Sequence, residues 1–360
     1  MRYDLLIAGG GPVGLYAAIL AATHGMKVAI AEPKAGVIDK ACGEGLMPAA
    51  VAALLAVGVA PAHQPFEGIR YIDSNRTAEG RFSRGVGWGV RRLALHSALM
   101  ERAFDLGVQT ERTAVHTIDA QPEGIRAAGI EARWLFAADG LHSPLRKHLG
   151  LQLPARFPRR YGIRRHFVIA PWSSFVEVHW SEQAEAYVTP VSDREVGVAF
   201  LFDDRLKGAS SEPPFERLMA AFPALQERLR GTDVGSTVRG AGPFEQRTLH
   251  QASGRTLLIG DAAGYLDPIT GEGLRLGFEA ASLALECIEA GNPAAYNLLW
   301  PRAYRRYWWM TAGLLTLRRS PLRKVMLPAL QHVPGLFTAA VNALGAEPPP
   351  KRQRLLRTPI

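Results

Sequence analysis

Leu5-Leu6-Ile7-Ala8-Gly9-Gly10-Gly11-Pro12-Val13-Gly14 is an apolar run of buried-strand length that breaks into glycines. An apolar helical pattern follows from Leu15 to Ala22 and is closed by Gly25. Each glycine has a physical task in this setting. Gly9 permits a tight turn, Gly11 lets the backbone approach a pyrophosphate, and Gly14 lets helix and strand pack closely. A second strand, Lys27–Ala31, ends at Glu32, whose carboxylate is placed to accept hydrogen bonds from a ribose diol. Strand, glycines, helix, strand and terminal acid in register specify a Rossmann-like α/β fold that holds an adenine dinucleotide. The fingerprint does not choose between NAD and FAD.

The segments beyond it narrow the choice. Asp39–Leu46 is a polar, glycine-rich loop directly after the ribose acid, ahead of a helical run Pro48–Leu55. Cys42 in that loop is either a thiol near a redox centre or a small residue in a tight turn. Short strands with glycine bends are expected over 66–90. Arg91-Arg92 then opens a helix with Leu95, Leu99, Ala103 and Leu106 on one face. Arg92 at the helix start can reach a phosphate or ribityl chain, or stand solvated. Val115–Ile118, Gly124–Ala127 and Gly129–Arg133 suggest a small meander. Leu135–Ala138 reads as a buried strand ending at Asp139-Gly140, with Ser143 and Arg146 following.

Arg255–Gly277, RTLLIGDAAGYLDPITGEGLRLG, repeats the theme late in the chain. A strand delivers Asp261, a turn follows through Pro268, Gly271 and Gly273, and a helix begins at Leu274. Bare backbone N–H groups at such a turn suit a polar ring system. Between the two halves, Tyr161–Ala170, Phe175–Trp180, Ala184–Thr189 and Glu195–Phe202 have strand character, with a helical stretch Phe215–Leu229 after them. This inserted antiparallel sheet is a natural roof for a substrate. Arg164, His166, His179, Trp180 and Tyr187 are candidates to line its pocket, although core or surface side chains would fit the same pattern.

Composition bounds the rest. The 360 residues are 48% hydrophobic, enough for a large core divided among two or three domains. Net charge is +9, which scattered surface arginine explains without nucleic acid. Cys42 and Cys287 are the two cysteines, so no disulfide framework or metal-ligand cluster is present and a reducing, cytoplasmic setting is expected. No signal peptide precedes Leu5, and no apolar run approaches the roughly 18 residues of a membrane span. Trp300–Gly345 interleaves aromatic and leucine residues with arginines. It is expected to form a helix pair closing the substrate pocket and offers a candidate peripheral membrane contact. Pro348–Ile360 reads as a tail.

Taken together, Gly9–Gly14 with Glu32, Asp139-Gly140, and Gly260-Asp261 leading to Gly271-Glu272-Gly273 resemble the FAD-dependent aromatic hydroxylase superfamily, whose glutathione-reductase-type flavoproteins include geranylgeranyl reductases and flavin-dependent halogenases. The likeness covers about residues 1–290. It implies that Asp261 binds the ribityl chain of FAD, that Gly271–Leu274 backbone lies by the pyrimidine end, that Arg92 touches the cofactor and that the Asp139 region takes part in NAD(P)H use. The implied domains are a discontinuous FAD-binding domain over 1–75, 88–155 and 240–299, a substrate sheet over 76–87 and 156–239, a helical region over 300–347 and the tail. Asp139…Arg146 and Ala184–Val191 look like small monooxygenases. Lys40–Gly43 and Thr270–Gly273 look like the geranylgeranyl reductases, with Cys42 near the flavin. The segment typical of halogenases is missing. The resemblance therefore favours an NAD(P)H- and O2-dependent monooxygenase acting on an aromatic or polyketide-like substrate, with His166, His179 or Tyr187 as a helper in deprotonating a phenol. A reductase of a lipophilic substrate is the alternative.

Overall fold

The computed structural model describes residues 2–73, 76–204 and 214–344. Its first sheet has a parallel core in the order Thr256–Leu258, Ile130–Ala137, Arg2–Ala8, Val28–Ala31, Gln109–Glu111. Ile7 lies level with Ile30 on one side and Phe136 on the other, and Phe136 with Leu257. Toward their C-terminal ends the four inner strands are buried on both faces, as a parallel sheet covered on each side requires, whereas the edge strand Gln109–Glu111 is exposed. Leu5, Ile7, Ile30, Phe136 and Leu257 face the helix side, whereas Leu6, Ala8, Ala29, Leu135 and Leu258 face a smaller second core. The common register also brings the C-terminal ends of the strands together. Gly9, Glu32, Asp139 and Gly260 therefore arrive at one sheet edge.

The helices in chain order are α1 (Pro12–Thr23), α2 (Pro48–Ala56), α3 (Arg92–Asp105), α4 (Pro144–His148), α5 (Pro214–Met219), α6 (Pro223–Arg228), α7 (Gly273–Glu289), α8 (Tyr296–Arg319), α9 (Arg323–His332) and α10 (Pro334–Leu344). The fingerprint helix α1 packs on α3 and α7. A second, mainly antiparallel sheet contains Arg160–Val168, Val196–Asp203, Ala184–Pro190 and Phe175–Trp180 as neighbours. Helices α5 and α6 cover one of its faces, where Phe200 packs against Phe215 and Phe222.

Several sequence expectations change. Strand Gly68–Asp73, placed on the 1–75 side of the boundary, pairs with Phe175–Trp180 and Arg76–Arg81 and so joins the second sheet. Gly129–Arg133 and Leu135–Ala138 are one strand, Ile130–Ala137, because Arg133 and Trp134 continue its alternation. Val115–Ile118 is not a strand; the meander begins at Asp119–Gln121. The stretch Phe215–Leu229 is two helices broken at Phe222, whose ψ of 68° before Pro223 leaves the helical region. The C-terminal region forms three helices rather than a pair. The tail expected over 348–360 lies outside the described residues.

An ionic cluster ties the end of α8 to the second sheet. Glu185, fully buried, receives Arg160 Nη2 at 2.8 Å and Arg318 Nε, while Arg318 Nη1 also meets Asp203 at 3.1 Å. Arg160 Nε lies 2.9 Å from Asp267, at the start of the turn that leads into α7. Removing Glu185 would leave two buried guanidinium groups facing each other. Glu185→Ala is expected to lower the unfolding free energy by about 3 kcal/mol or more; a urea midpoint unchanged from wild type would show that the cluster does not clamp α8.

Candidate functional site

A cavity of about 890 Å³ lies where the strand ends of the first sheet meet the second sheet and the C-terminal helices. One end is built from the fingerprint and its partners. Gly9 has φ +109°, and a side chain there would strike Ala138 O at 2.4 Å. A Cβ on Gly14 would fall 2.0 Å from Gly9 O, so this glycine serves helix–strand packing. A Cβ on Gly11 would meet nothing within 4 Å because it would project into the cavity that Gly11 lines. Glu32 Oε2 accepts from Gly10 N at 2.9 Å and stands outside the cavity wall. Buried His96 supports the same loop: its Nδ1 accepts from Ile38 N at 3.4 Å, and its Nε2–H donates to Gly10 O at 2.8 Å. Burial holds this imidazole below its ordinary pKa, in keeping with the neutral tautomer those bonds need.

Arg92, Asp139, Asp261, Gly271, Gly273 and Leu274 all line this end of the cavity. The carboxylate of Asp261 has no hydrogen-bond partner among the described residues. Burial raises it above the ordinary carboxylate range, against the opposing pull of Lys40, Arg92 and Arg146. Arg92 Nε and Asp139 Oδ1 are likewise buried without partners among the described residues. Burial also lowers Lys40, which lines the wall beside them and which sequence reasoning quoted but did not assign. The other oxygen of Asp139 accepts from Leu145 N at 3.0 Å. Ser143 caps α4, and fully buried Arg146 donates to the carbonyls of Asp261 and Ala262 at 3.1 and 2.9 Å. The Asp139–Arg146 motif thus holds the Asp261 turn in place.

The candidates for catalysis separate. Cys42 lines the cavity, and burial pushes its thiol up. Tyr187 lines it too, with its hydroxyl donating to Ile269 O at 2.9 Å. His166 does not reach it. Its Nε2 is bonded to Glu44 and its Nδ1 lies 2.7 Å from Ser236 Oγ, so both ring nitrogens are engaged inside the protein. His179 lies 3.3 Å from Glu177 and also lines no part of the cavity. Sequence reasoning missed Glu44, which adopts φ +59° between Gly43 and Gly45 and accepts from Arg92 N at 2.7 Å, capping α3. The other end of the cavity is mainly hydrocarbon: Phe66 from the short strand Gln64–Phe66, Ile69, Val176 and Val178 from the second sheet, and Leu317, Leu330 and Phe337 from α8, α9 and α10.

A family model described as an FAD binding domain matches residues 90–289, more than half of the chain. The chain belongs to this FAD-binding family. It is a flavin-dependent oxidoreductase. The menaquinone reductase of Mycobacterium tuberculosis is 28% identical to this flavoprotein over 331 residues, covering 83% of this chain and 78% of that one. The digeranylgeranylglycerophospholipid reductase 1 of Methanopyrus kandleri is 28% identical over 347 residues, 85% and 88% of the two chains. Among solved structures, a flavoprotein/dehydrogenase from Cytophaga hutchinsonii superposes with a TM-score of 0.80 at 20% identity over 95% and 92% of the two chains. A flavin-dependent brominase gives 0.80 at 18% over 96% and 94%. These two likenesses show a shared fold.

The residues present fit FAD. The open approach at Gly11, the helix N-termini of α1 and α7 at the wall, and the unpartnered Asp261 and Arg92 Nε match a polar dinucleotide lying along this end. Gly11→Ala is expected to leave the unfolding midpoint of the apoprotein nearly unchanged but weaken FAD binding at least tenfold, whereas Gly14→Ala destabilises the fold itself. Flavin fluorescence titration beside thermal unfolding separates the two. The raised Asp261 means that apoprotein stability is highest with the carboxyl protonated and falls as pH rises through its folded pKa. Asp261→Asn is therefore expected to raise the apoprotein Tm at neutral pH while weakening FAD binding. The Tm gain should vanish below the ordinary aspartate value of 3.8.

Proposed function

We propose that this flavoprotein reduces carbon–carbon double bonds of a lipophilic, isoprenoid-bearing substrate. One observation carries the reading: a single cavity runs from the cofactor-facing loops to a hydrocarbon chamber under α8–α10. Relatives named as reductases of menaquinone and of digeranylgeranylglycerophospholipid support it, since both substrates are lipids. The sequence reading favoured a monooxygenase, chiefly from Asp139…Arg146. Those residues are occupied in clamping the Asp261 turn, a task either activity needs. Of the histidines expected to help deprotonate a phenol, His166 is committed to Glu44 and Ser236 and His179 does not line the cavity.

Bound and reduced, FAD supplies a hydride equivalent, and NAD(P)H is the proposed source of its electrons. The chain supplies the one proton that balances the hydride and a dry space. Burial keeps Cys42 Sγ protonated on the cavity wall, and Glu44 N–H, 3.4 Å away, can donate to the thiolate left after proton transfer to the substrate carbon. Tyr187, held protonated by burial and anchored to Ile269, shapes the passage between the two ends.

Dithionite-reduced holoenzyme, mixed without oxygen with a geranylgeranyl lipid in detergent, is expected to yield a product two mass units heavier in one turnover. Cys42→Ala should keep the FAD spectrum and lose roughly 100-fold in that rate. A product sixteen mass units heavier, formed only with O2, would establish the monooxygenase instead.

A further inference from the structure

The helices that roof the cavity have a second, outward side. From Tyr296 to Leu344 the sequence contains seven Arg and Lys residues and no Asp or Glu. Two of these cations are used internally: Arg318 in the cluster with Glu185, and Arg319 at 3.6 Å from Asp203. Arg302, Arg305 and Arg306 are exposed and form no ion pair among the described residues. They lie on one face of α8. Leu298, Arg302, Arg305, Trp309, Gly313 and Thr316, at spacings of three or four, are all exposed.

This stripe crosses the entrance to the cavity. Trp309 is 67% exposed and also lines the cavity, as does exposed Gly313, so the hydrocarbon chamber opens to the outside at these two residues. Around the opening, α9, α10 and the turn before them show further bare apolar side chains: Leu322, Val325, Val333 and Leu336 are 54–61% exposed. Phe337 and Val341 on α10 turn inward to the same chamber. An aromatic and aliphatic rim set among unpaired arginines is the composition of a segment that lies in a lipid–water interface.

We infer that the outer face of α8–α10 docks on an anionic lipid surface, with Trp309 in the interface, so that a lipophilic substrate passes from the bilayer into the chamber without crossing water. No helix among the described residues is long and apolar enough to span a membrane, so the contact is peripheral. The charge favours lipid over a second copy of the chain: exposed Arg302, Arg305 and Arg306, in a stretch without Asp or Glu, repel their own copies and attract acidic headgroups. The inference rests on the lipophilic-substrate reading for its purpose, not for its test.

Holoenzyme is mixed with vesicles of phosphatidylcholine alone or of phosphatidylcholine with phosphatidylglycerol, and binding is read by flotation. Binding is expected on the mixed vesicles and not on the neutral ones, and it should fall as salt is raised. Replacing Arg302, Arg305 and Arg306 together by Gln should weaken partitioning on the order of 100-fold while leaving the FAD spectrum and melting temperature unchanged. Trp309→Ser should weaken it on both low and high salt. Binding that is equal on neutral and anionic vesicles, or absent from both, overturns the inference. So does a concentration-dependent dimer that Trp309→Ser abolishes in the absence of lipid. An enzyme that reduces detergent-dispersed substrate yet stays off vesicles sinks the docking alone, and one that binds vesicles but reduces no lipid sinks only the substrate assignment.

Discussion

Val13 sits against two glycines from the far end of the chain, and the cofactor site depends on that contact. A Cβ on Gly277 would fall 2.4 Å from Val13 Cγ2, and one on Gly260 would fall 3.1 Å from Cγ1. Glycine at both positions lets α1 and α7 approach closely enough for their N-termini to share one wall. Arg146 supplies the second constraint. Its guanidinium, fully buried, is satisfied by the carbonyls of the Asp261 turn and by Gln152 and Gln246, at 2.6 Å each. The fingerprint and the Asp261 turn, some 250 residues apart in sequence, are thereby set at a fixed distance before any ligand arrives.

Buried charge is used in two opposite ways. In the cluster of Arg160, Glu185 and Arg318, and around Arg146, each charge faces partners within the protein, so its desolvation is offset and the geometry is rigid. At the cavity wall the same chemistry is left incomplete. Asp261 and Arg92 Nε face the cavity without partners among the described residues, and burial shifts Asp261 toward its neutral form. A site that costs stability when empty recovers it when a polar ligand fills it. The hydrocarbon end has no such incompleteness, and its walls suit a substrate recognised by shape and burial.

The structure also separates two residues that composition alone would pair. Cys42, in the loop expected near the flavin, and His166, on the sheet expected to line the substrate pocket, were both candidate chemical groups. The left-handed turn at Glu44 places Cys42 on the wall, while Glu44, which also lines the cavity, spends its carboxylate on His166 and on capping α3. His166 therefore contacts the loop rather than the cavity. Breaking the Phe215–Leu229 stretch at Phe222 has a similar consequence, because it lets both short helices lay aromatic rings on Phe200 and close the second core.

What the sequence determined by itself was the cofactor half of the molecule. Glycine spacing, strand-terminal acids and helix starts are short-range patterns, and the strand ends at Gly9, Glu32 and Asp261 are legible within about two dozen neighbours. The parallel register then had to bring their strand ends to one edge. Only the tertiary structure decided which side chains share the cavity. Tyr187 and His166 lie on strands that both pair with Val196–Asp203, with nothing local to tell inward from outward, and strand Gly68–Asp73 joins its sheet through pairing with a segment over 100 residues away. Side-chain direction on a strand has a period of two, so a burial assignment depends on which sheet face is covered, and that is set by distant chain. The outer face of α8–α10 was visible as composition, but the exposed Trp309 at the cavity entrance exists only once the three helices have packed over the second sheet.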